Sequence, residues 1–346
     1  MNPELARLLA AAGYERALET DSWRSVIVVN NFGSVPKLPD LPPEFALRGF
    51  KLLLLDASGV PTHFARCGTA TDQALLREGE ILEALSHAPE LARSVPHTRS
   101  VASSTLRVLV STYLSGKTYD QFVHRETQQT WMRRALEILE VATTVLDRAA
   151  FALPRFLTGP PLIDLRTEVQ PRLELLRRAG IDPTVVDTVD RALADVAPVG
   201  RQLQHGDLWP GNLIWHDDAW ILIDFAEFGY VQVPMYDAFH LLHYNPERWH
   251  KGSSYSWINP RGGGARSGRD PWGDACAQLA HTWGHRLGLN DRQLGATLLF
   301  YLAYISSYRL RPGVPFQYGE AFLRDLHRVT EALREGVLLE HIVSPS

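Results

Sequence analysis

The stretch LQHGDLWPGNLIWHDDAWILIDFAEFG, residues 203–229, constrains the fold more than any other part of this 346-residue chain. Two apolar runs, Leu213-Ile214-Trp215 and Trp220-Ile221-Leu222-Ile223, flank the polar residues His216-Asp217-Asp218. Apolar runs of this length on either side of a short polar segment are typical of a β-hairpin. The sequence therefore predicts two short antiparallel strands joined by a turn at residues 216–218.

Three polar side chains stand beside this predicted hairpin. Asn212 precedes its first strand, Asp224 follows its second strand, and Asp207 lies on the loop before it. A hairpin brings its two ends together, so we expect the three side chains to converge. Hard oxygen ligands of this kind suit Mg²⁺, and a remaining carboxylate can orient a hydroxyl and take its proton. Asp and Asn also favour turns, but turn chemistry does not explain the joint spacing. The pattern indicates phosphoryl transfer, in which positioning and charge neutralisation supply most of the catalysis.

Composition and charge exclude several other classes of protein. Hydrophobic residues make up 45% of the chain and the net charge is −4, without a long run of one sign, so we expect no nucleic-acid partner. Cys67 and Cys276 are far apart and fit no ligand spacing, which indicates free thiols and a cytoplasmic location. Residues 1–15 do not resemble a signal peptide, and the apolar run 294–305 is too short to span a membrane. We expect no membrane association.

Patterns along the chain predict a strand-rich first part and a helical second part. We expect residues 1–115 to form a strand-rich nucleotide-binding lobe, with 1–45 as an N-terminal extension, and 116–346 to form a helical lobe. The latter would carry the catalytic loop and the acceptor groove. The predicted strands are 25–31, a hairpin over 50–68 that turns at 57–59, and 106–116. The predicted helices are 3–13, 72–86 with Asp72 as N-cap, 125–149, 167–179, 184–196, 274–287, 291–308 and 317–339. Loops are predicted at 35–43 and 261–268.

The motifs HGDLWPGN and IDFAEFG resemble those of the aminoglycoside phosphotransferase and choline kinase-like family, whose members are related to protein kinases. The resemblance covers residues 45–330 and rests on the Asn five residues after the Asp, with IDF at the expected distance. It implies an α+β, two-lobed protein-kinase-like fold with a small strand-rich N-terminal lobe and a large helical C-terminal lobe.

The resemblance also implies roles for individual residues of the second half. Asp207 matches the catalytic base of the family, and Asn212 and Asp224 match its metal ligands. His205 matches a residue that supports the loop, and Asp237 one that begins a helix and braces the loop. The implied cofactors are ATP, or GTP, and Mg²⁺.

The N-terminal lobe departs from the family pattern. Arg66 stands where the family has a Lys, and Glu78 stands at its helix partner, with the neighbouring Glu80 as a weaker candidate. An Arg66–Glu78 pair would hold the nucleotide phosphates, although an exposed surface arginine is the alternative. No GxGxxG is present, so Gly49 is the best candidate for the phosphate-covering turn and Gly33 the second.

The resemblance places the hinge at VLVSTYLSG. Backbone groups near Ser111 and Tyr113 would then read the adenine edge.

The acceptor is predicted from the charge of the C-terminal region. From residue 240 to the end the chain has nine Asp and Glu and twelve Lys and Arg. A polycationic aminoglycoside would favour an acidic groove, so the sequence predicts a neutral or anionic acceptor such as a sugar, a nucleoside or a natural product. Histidines and aromatic residues accompany these charges: His240, His243, Tyr244, Trp249, His250, Tyr255, Trp257 and Trp272. His240 and His243 are predicted to line the groove or the core rather than to bind a metal.

The sequence thus predicts an ATP- and Mg²⁺-dependent phosphotransferase acting on a hydroxyl of a small molecule. A pseudokinase or nucleotide-binding regulatory protein is the first alternative, because Arg66 replaces the usual Lys and the glycine loop is missing. Nucleotidyl transfer or protein phosphorylation on the same fold is the second.

Overall fold

The computed structural model describes residues 25–29, 51–55, 58–91, 93–102, 106–244, 271–310 and 317–343. The chain divides into two compact units. The strand-rich unit comprises Met1–Thr118, Asp147–Pro154 and Asn212–Phe228, and the helical unit comprises Tyr119–Leu146, Arg155–Gly211 and Gly229–Ser346. Each unit is therefore assembled from separate stretches of sequence, and the predicted lobe boundary after residue 115 stays a prediction.

The strand-rich unit contains a five-stranded antiparallel sheet in the order β1-β2-β3-β5-β4. Its strands are β1 (Ser25–Val29), β2 (Lys51–Leu55), β3 (Pro61–Thr69), β4 (Thr98–Ala102) and β5 (Leu106–Thr112). The hairpin of β2 and β3 is confirmed, and Gly59 in its turn has φ +85°, a conformation that glycine adopts without steric cost.

Helix α1 (Gln73–Ser86) belongs to this unit, and its predicted N-cap is confirmed. The Asp72 carboxylate accepts a hydrogen bond of 3.0 Å from the Leu75 N–H, which satisfies one of the free donors at the helix start. Leu75, Ile81, Leu82 and Leu85 recur at helical spacing and are buried.

The predicted hairpin at residues 213–222 is confirmed. β9 (Leu213–His216) pairs antiparallel with β10 (Ala219–Leu222), and β6 (Lys117–Thr118) adds a third strand beside β9. Asp217 and Asp218 in the turn have φ +47° and +60°. Both central residues of a type I′ turn need such values, which Asp tolerates better than most residues. Ile223, predicted as a strand residue, follows the end of β10.

The other described helices belong wholly or mostly to the helical unit. Their bounds are α2 (Gln128–Ala152), α3 (Leu165–Arg178), α4 (Pro183–Leu193), α5 (Tyr236–His243), α6 (Pro271–Arg286), α7 (Asp291–Arg309), α8 (Gln317–Arg334) and α9 (Leu339–Ile342). A short ribbon, β7 (Leu162–Ile163) with β8 (Val199–Gly200), completes the helical unit.

Helix α7 is the core of the helical unit. Every residue from Leu294 to Ser307 is buried, and α7 contacts α3, α4, α5, α6, α8 and α9. At Gly295 an added Cβ would lie 2.1 Å from the Leu339 carbonyl oxygen, so only glycine allows α9 to approach this closely. The prediction of a buried helix at 294–305 is confirmed.

Several predictions need correction. The helix predicted over 317–339 is two helices, because the chain turns at Gly336 with φ +95° after α8 ends at Arg334. Strands β4, β6, β7 and β8 were not predicted. The predicted helix 3–13 and the loops 35–43 and 261–268 lie outside the described residues. None of the helices in the described ranges is long and apolar enough to cross a lipid bilayer.

Candidate active site

The two ends of the β9–β10 hairpin are joined by a backbone hydrogen bond. The Ile223 N–H donates to the Asn212 carbonyl at 3.0 Å, which places Asp224 next to this closed end. Asn212 ends a 3₁₀ turn over Pro210–Asn212 and is 6% exposed, whereas the Asp224 side chain is 36% exposed. Asp224 has φ +63°, a left-handed conformation that Asp and Asn tolerate. The hairpin thus holds an amide and a carboxylate on neighbouring backbone.

One guanidinium nitrogen connects three elements of the strand-rich unit. Nη1 of Arg66 on β3 donates to both oxygens of Glu78 on α1, at 2.8 Å to Oε1 and 2.6 Å to Oε2. The same nitrogen lies 3.2 Å from Oδ1 of Asp224. Arg66 therefore pairs with its predicted partner and, in addition, with one of the two predicted metal ligands.

The electrostatics of this cluster are set by burial and by an excess of carboxylates. Burial, together with the charge of Asp224, raises the pKa of Glu78 to about 7, although Arg66 and the Phe225 N–H act in the opposite direction. Burial disfavours the charge on Arg66, but Glu78 and Asp224 outweigh it and raise the pKa of Arg66. In direct contact, one guanidinium thus serves two carboxylates, Glu78 and Asp224.

The segment after the hairpin is fixed to α1 by Arg77, which sequence reasoning missed. Its Nη2 donates to the Phe228 carbonyl at 2.7 Å. Arg77 directly precedes Glu78, so one turn of α1 contacts both ends of the IDFAEFG segment. Glu78 reaches its beginning through Arg66, and Arg77 contacts its end directly. The position of α1 and the position of Asp224 are therefore coupled.

The two predicted hinge residues lie at the end of β5. Ser111 pairs with Phe64 on β3 and with Thr98 on β4, and its hydroxyl lies 2.8 Å from the Thr98 hydroxyl. The Tyr113 N–H donates to the Thr62 carbonyl at 2.9 Å. The Tyr113 amide is thus already engaged inside the sheet, so a nucleotide contact at Tyr113 would have to use its carbonyl. Gly49 and Gly33, the predicted phosphate-covering glycines, lie outside the described residues.

In the helical unit, Asp237 holds the loop that carries Asp207. Its carboxylate accepts from the His205 N–H at 2.6 Å and from the Gly206 N–H at 2.9 Å. The Asp237 N–H donates in turn to Oε1 of Gln204 at 3.0 Å. Asp237 lies in the first turn of α5, whose N-cap is Met235, so its carboxylate braces the loop rather than capping its own helix.

Asp237 and His205 are both buried, at 4% and 0% exposure. Burial raises the pKa of Asp237 to about 7, against the two backbone N–H donors that favour its ionised form.

Asp207 faces His240, an interaction that the sequence did not predict. Nε2 of His240 lies 3.2 Å from Oδ1 of Asp207, and Nδ1 of His240 lies 3.1 Å from the Tyr301 hydroxyl on α7. Burial alone would raise the pKa of Asp207, but His240 and His205 outweigh it and hold that pKa below its ordinary value. Asp207 is therefore ionised at neutral pH, as a proton acceptor must be. The sequence signal for His240 is its position one helical turn after Asp237.

The other predicted groove residues separate into two groups. His243 is buried and stacks on Phe322 with ring centroids 3.9 Å apart, and Trp272 packs edge-to-face on Trp131 at 5.8 Å. Tyr244 lies 5.6 Å from the Trp209 ring. The remaining four lie outside the described residues: Trp249, His250, Tyr255 and Trp257. His240 and His243 are both buried, and their predicted place in the groove or the core stays a prediction.

A family model for phosphotransferase enzymes, APH, matches residues 62–274, which are 213 of the 346 residues. The match includes Arg66, Glu78 and the whole of residues 203–229. The chain belongs to the APH phosphotransferase family. Its resemblance to this family, and its assignment to the phosphotransferases, are thereby confirmed.

Solved structures of similar fold agree with this assignment. APH(2")-IIa in a ternary complex with streptomycin and ATP has 13% identity and a TM-score of 0.51, over 95% of this chain and 98% of that one. Amicoumacin kinase hAmiN in complex with AMP-PNP, Ca²⁺ and Ami has 13% identity and a TM-score of 0.50, over 100% and 98% of the two chains. At this identity the likeness concerns the fold, and it confirms the α+β, protein-kinase-like architecture. A search of curated proteins by sequence found no match.

Proposed function

We propose that this phosphotransferase moves the γ-phosphoryl group of ATP to a hydroxyl of a small molecule, with Mg²⁺ as cofactor. The observation that carries the proposal is the Asp207 carboxylate. This carboxylate is ionised and lies 3.2 Å from Nε2 of His240. The backbone N–H groups of the two residues before Asp207 donate to the Asp237 carboxylate. An ionised carboxylate of fixed position can orient a hydroxyl and accept its proton, which is the role that phosphoryl transfer assigns to such a group.

In this proposal Asp207 accepts the proton of the acceptor hydroxyl as the acceptor oxygen attacks the γ-phosphorus. The bond from the γ-phosphorus to the bridging oxygen breaks, and ADP leaves with the electron pair. Asp237 positions the loop, and His240 stabilises the ionised form of Asp207 before the transfer. Tyr301 in turn restrains the His240 ring through Nδ1.

The residues of the β9–β10 hairpin suit Mg²⁺. Asn212 offers an amide oxygen and Asp224 a carboxylate oxygen, and both are hard donors. Asp224 also shares the guanidinium of Arg66 with Glu78, so it keeps capacity to bind a further cation. When bound there, Mg²⁺ would neutralise charge on the phosphates. Arg66 and Glu78 would hold the phosphates of the same nucleotide. That nucleotide is ATP or GTP.

For the acceptor we propose a neutral or anionic hydroxyl compound such as a sugar, a nucleoside or a natural product. The support is the charge of the chain after residue 240, where cationic side chains outnumber anionic ones, twelve to nine. A polycationic substrate would be repelled there. We place the reaction in the cytoplasm, because Cys67 and Cys276 are both free and buried.

Mass spectrometry of reaction products tests the proposal. The purified protein is incubated with Mg-ATP, or Mg-GTP, and a library of hydroxyl metabolites, with Asp207→Asn as the matched inactive variant. We expect an acceptor that gains one phosphate together with release of the nucleoside diphosphate. An acceptor that gains a nucleotide, or a phosphorylated protein, would instead establish one of the alternative chemistries.

A second function, nucleotide binding without transfer, is favoured by one contact. Arg66 lies 3.2 Å from Oδ1 of Asp224 and so competes with a cation for that oxygen. If this pair persists with nucleotide, binding will be independent of Mg²⁺ and no acceptor will be phosphorylated. Titration of ATP with and without Mg²⁺ separates the two functions.

A further inference from the structure

Two histidines and an aspartate converge on the surface of the helical unit, at the connection from α6 to α7. Nε2 of His281 and Nε2 of His285 both lie next to Oδ1 of Asp291, at 3.1 and 2.9 Å, and the two nitrogens lie 3.0 Å apart. In the described part of the chain this is the one group of three or more His, Cys, Asp or Glu side chains whose ligand atoms meet in this way. No step of the proposed reaction uses it.

The backbone fixes these three side chains in place. His281 and His285 are four residues apart on α6 and so lie on one face of the helix. Helix α6 ends in a Schellman motif, in which the Leu289 N–H donates to the Gly284 carbonyl and the Gly288 N–H to the His285 carbonyl. Gly288 has the required positive φ of +79°. The turn from α6 into α7 is thereby closed within a few residues.

The start of α7 is equally well defined. Asn290 and Gln293 form a reciprocal capping box, which places Asp291 at the first helical position. At Gly284 an added Cβ would lie 2.7 Å from a methyl carbon of Leu294, so the absence of a side chain there lets α6 approach α7. The meeting of the three side chains follows from this tight connection rather than from chance rotamers.

The chemistry of the triad is that of a transition-metal site. Zn–N bonds of about 2.0–2.1 Å at tetrahedral angles place neighbouring ligand atoms about 3.3 Å apart, close to the three distances in the triad. Two imidazole nitrogens aimed at each other require either an intervening proton or a cation. Imidazole donors favour Zn²⁺ and similar ions over Mg²⁺ or Ca²⁺.

We propose that His281, His285 and Asp291 bind a divalent transition-metal ion of the Zn²⁺ class, with a fourth position left to water. The triad is partly exposed, so the ion enters from solvent and leaves the fourth position accessible. The ion would connect α6 to α7, the central helix of this unit. The site is independent of the proposed phosphoryl transfer, and a bound ion would stabilise the folded chain.

Titration of the full chain with Zn²⁺ alone, after treatment with a chelator, tests this proposal. We expect wild type to bind one Zn²⁺ that the His281→Ala/His285→Ala variant does not bind. Asp291→Asn keeps the shape of the side chain and removes the charged oxygen. This variant should bind Zn²⁺ with an affinity lower by about tenfold or more. Even residues outside the metal's ligand shell contribute about 10- to 100-fold to affinity. Co²⁺ should give a visible absorption band in wild type that the histidine variant lacks.

His327→Ala is the matched control, because His327 is an exposed histidine on α8, another helix of the same unit. It should bind Zn²⁺ as wild type does. Zn²⁺ should also raise the Tm of wild type and of His327→Ala, raise the Tm of Asp291→Asn by less, and leave the Tm of the double histidine variant nearly unchanged. Equal Zn²⁺ stoichiometry and affinity in wild type and the double histidine variant would overturn the proposal, as would an equal Tm shift in wild type and Asp291→Asn.

Discussion

The charged cluster of the strand-rich unit and the Asp207 loop of the helical unit hold their carboxylates in different ways. Arg66, Glu78 and Asp224 are connected through side chains alone, by one guanidinium nitrogen that is shared between two acids. The loop before Asp207 is held by backbone N–H groups that donate to the buried Asp237. The first arrangement depends on the balance of charge, and the second on the position of the backbone.

This difference teaches which part of the molecule can respond to a ligand. A cation or a phosphate changes the charge balance around Arg66 directly, so the pairing of its guanidinium is open to exchange. Two backbone hydrogen bonds to one buried carboxylate do not exchange without moving the loop. We therefore expect substitutions in the charged cluster to alter nucleotide binding, and substitutions on the loop to alter turnover.

The largest expected effect is on the loop. Asp207→Asn should lower kcat by about 10²- to 10⁴-fold, because the amide cannot accept the proton of the acceptor hydroxyl. Nucleotide affinity should stay within about twofold of wild type, since Asp207 is assigned to the acceptor. Steady-state kinetics with the identified acceptor and calorimetry with Mg-ATP measure both quantities. Asp195→Asn, an exposed position in the same unit, is the control. Full turnover in Asp207→Asn would remove the base assignment.

The second effect concerns metal-dependent binding in the charged cluster. Asp224→Asn should weaken Mg-ATP binding by at least about tenfold, the equivalent of one charge-assisted contact, while keeping the left-handed backbone. Asn212→Ala should be milder because a carboxamide supplies less charge. Asp218→Asn is the control. It makes the same substitution at a residue with a similar backbone conformation, with φ of +60° against +63° for Asp224. Calorimetric titration decides the matter, and an unchanged affinity in Asp224→Asn would count against a metal role.

The third effect is on stability together with nucleotide affinity. Arg66→Ala leaves Glu78, which is 2% exposed, without its cation, and should lower the free energy of unfolding by about 1–3 kcal/mol. It should also weaken nucleotide binding and slow turnover. The Arg66→Ala/Glu78→Ala variant should be little worse than either single variant, because residues in contact are not additive.

Urea unfolding measures the stabilities in this cycle, and Arg133→Ala, which removes an exposed pair with Glu137, is the control, expected within about 0.5 kcal/mol of wild type. Arg66→Lys keeps the charge and tests whether the fork shape of the guanidinium matters. If the losses of unfolding free energy in Arg66→Ala and Glu78→Ala simply add up in the double variant, the two residues are not coupled and the predicted pair is wrong.

The smallest effect is a shift in pH dependence. Burial raises the pKa of Asp207 and His240 lowers it, with a net value below the ordinary 3.8. In wild type, Asp207 should therefore stay ionised down to acidic pH, and its protonation should not lower kcat/KM above that range. In His240→Asn the effect of burial is offset less, because only His205 and Arg309 still lower the pKa of Asp207, so that pKa rises and the acid limb of kcat/KM moves to higher pH. Circular dichroism at each pH separates this shift from unfolding. Coincident profiles for the two proteins would exclude the role of His240.

The catalytic hairpin could be predicted from sequence because its signals are local. Alternating apolar runs, a turn rich in Asp and a fixed spacing from Asp207 to Asn212 all lie within 27 residues. The Arg66–Glu78 pair was predicted from the family resemblance, which matches Arg66 to a strand residue and Glu78 to a residue of the following helix. These features need only short stretches of chain to be read correctly.

The missed contacts join residues that are far apart in sequence. His240 meets Tyr301 across 61 positions, and Arg77 meets the Phe228 carbonyl across 151. No local pattern indicates such pairs, since they depend on how helices pack. The helix break at Gly336 was missed for the opposite reason, because the apolar spacing continues across it. The convergence of Asp207 with Asn212 and Asp224 stays a prediction.

Helix α7 has a consequence for the synthesis of the chain. It begins at Asp291, so the ribosome has made helices α1 to α6 before the central helix of the helical unit exists. Helices α3, α4 and α5 emerge earlier, and their shared packing partner is still missing. Their apolar faces therefore remain exposed until α7 leaves the exit tunnel, whereas every described strand of the five-stranded sheet is complete by Thr112. The loop that carries Asp207, which is held by α5, can reach its final position only after α7 has been made.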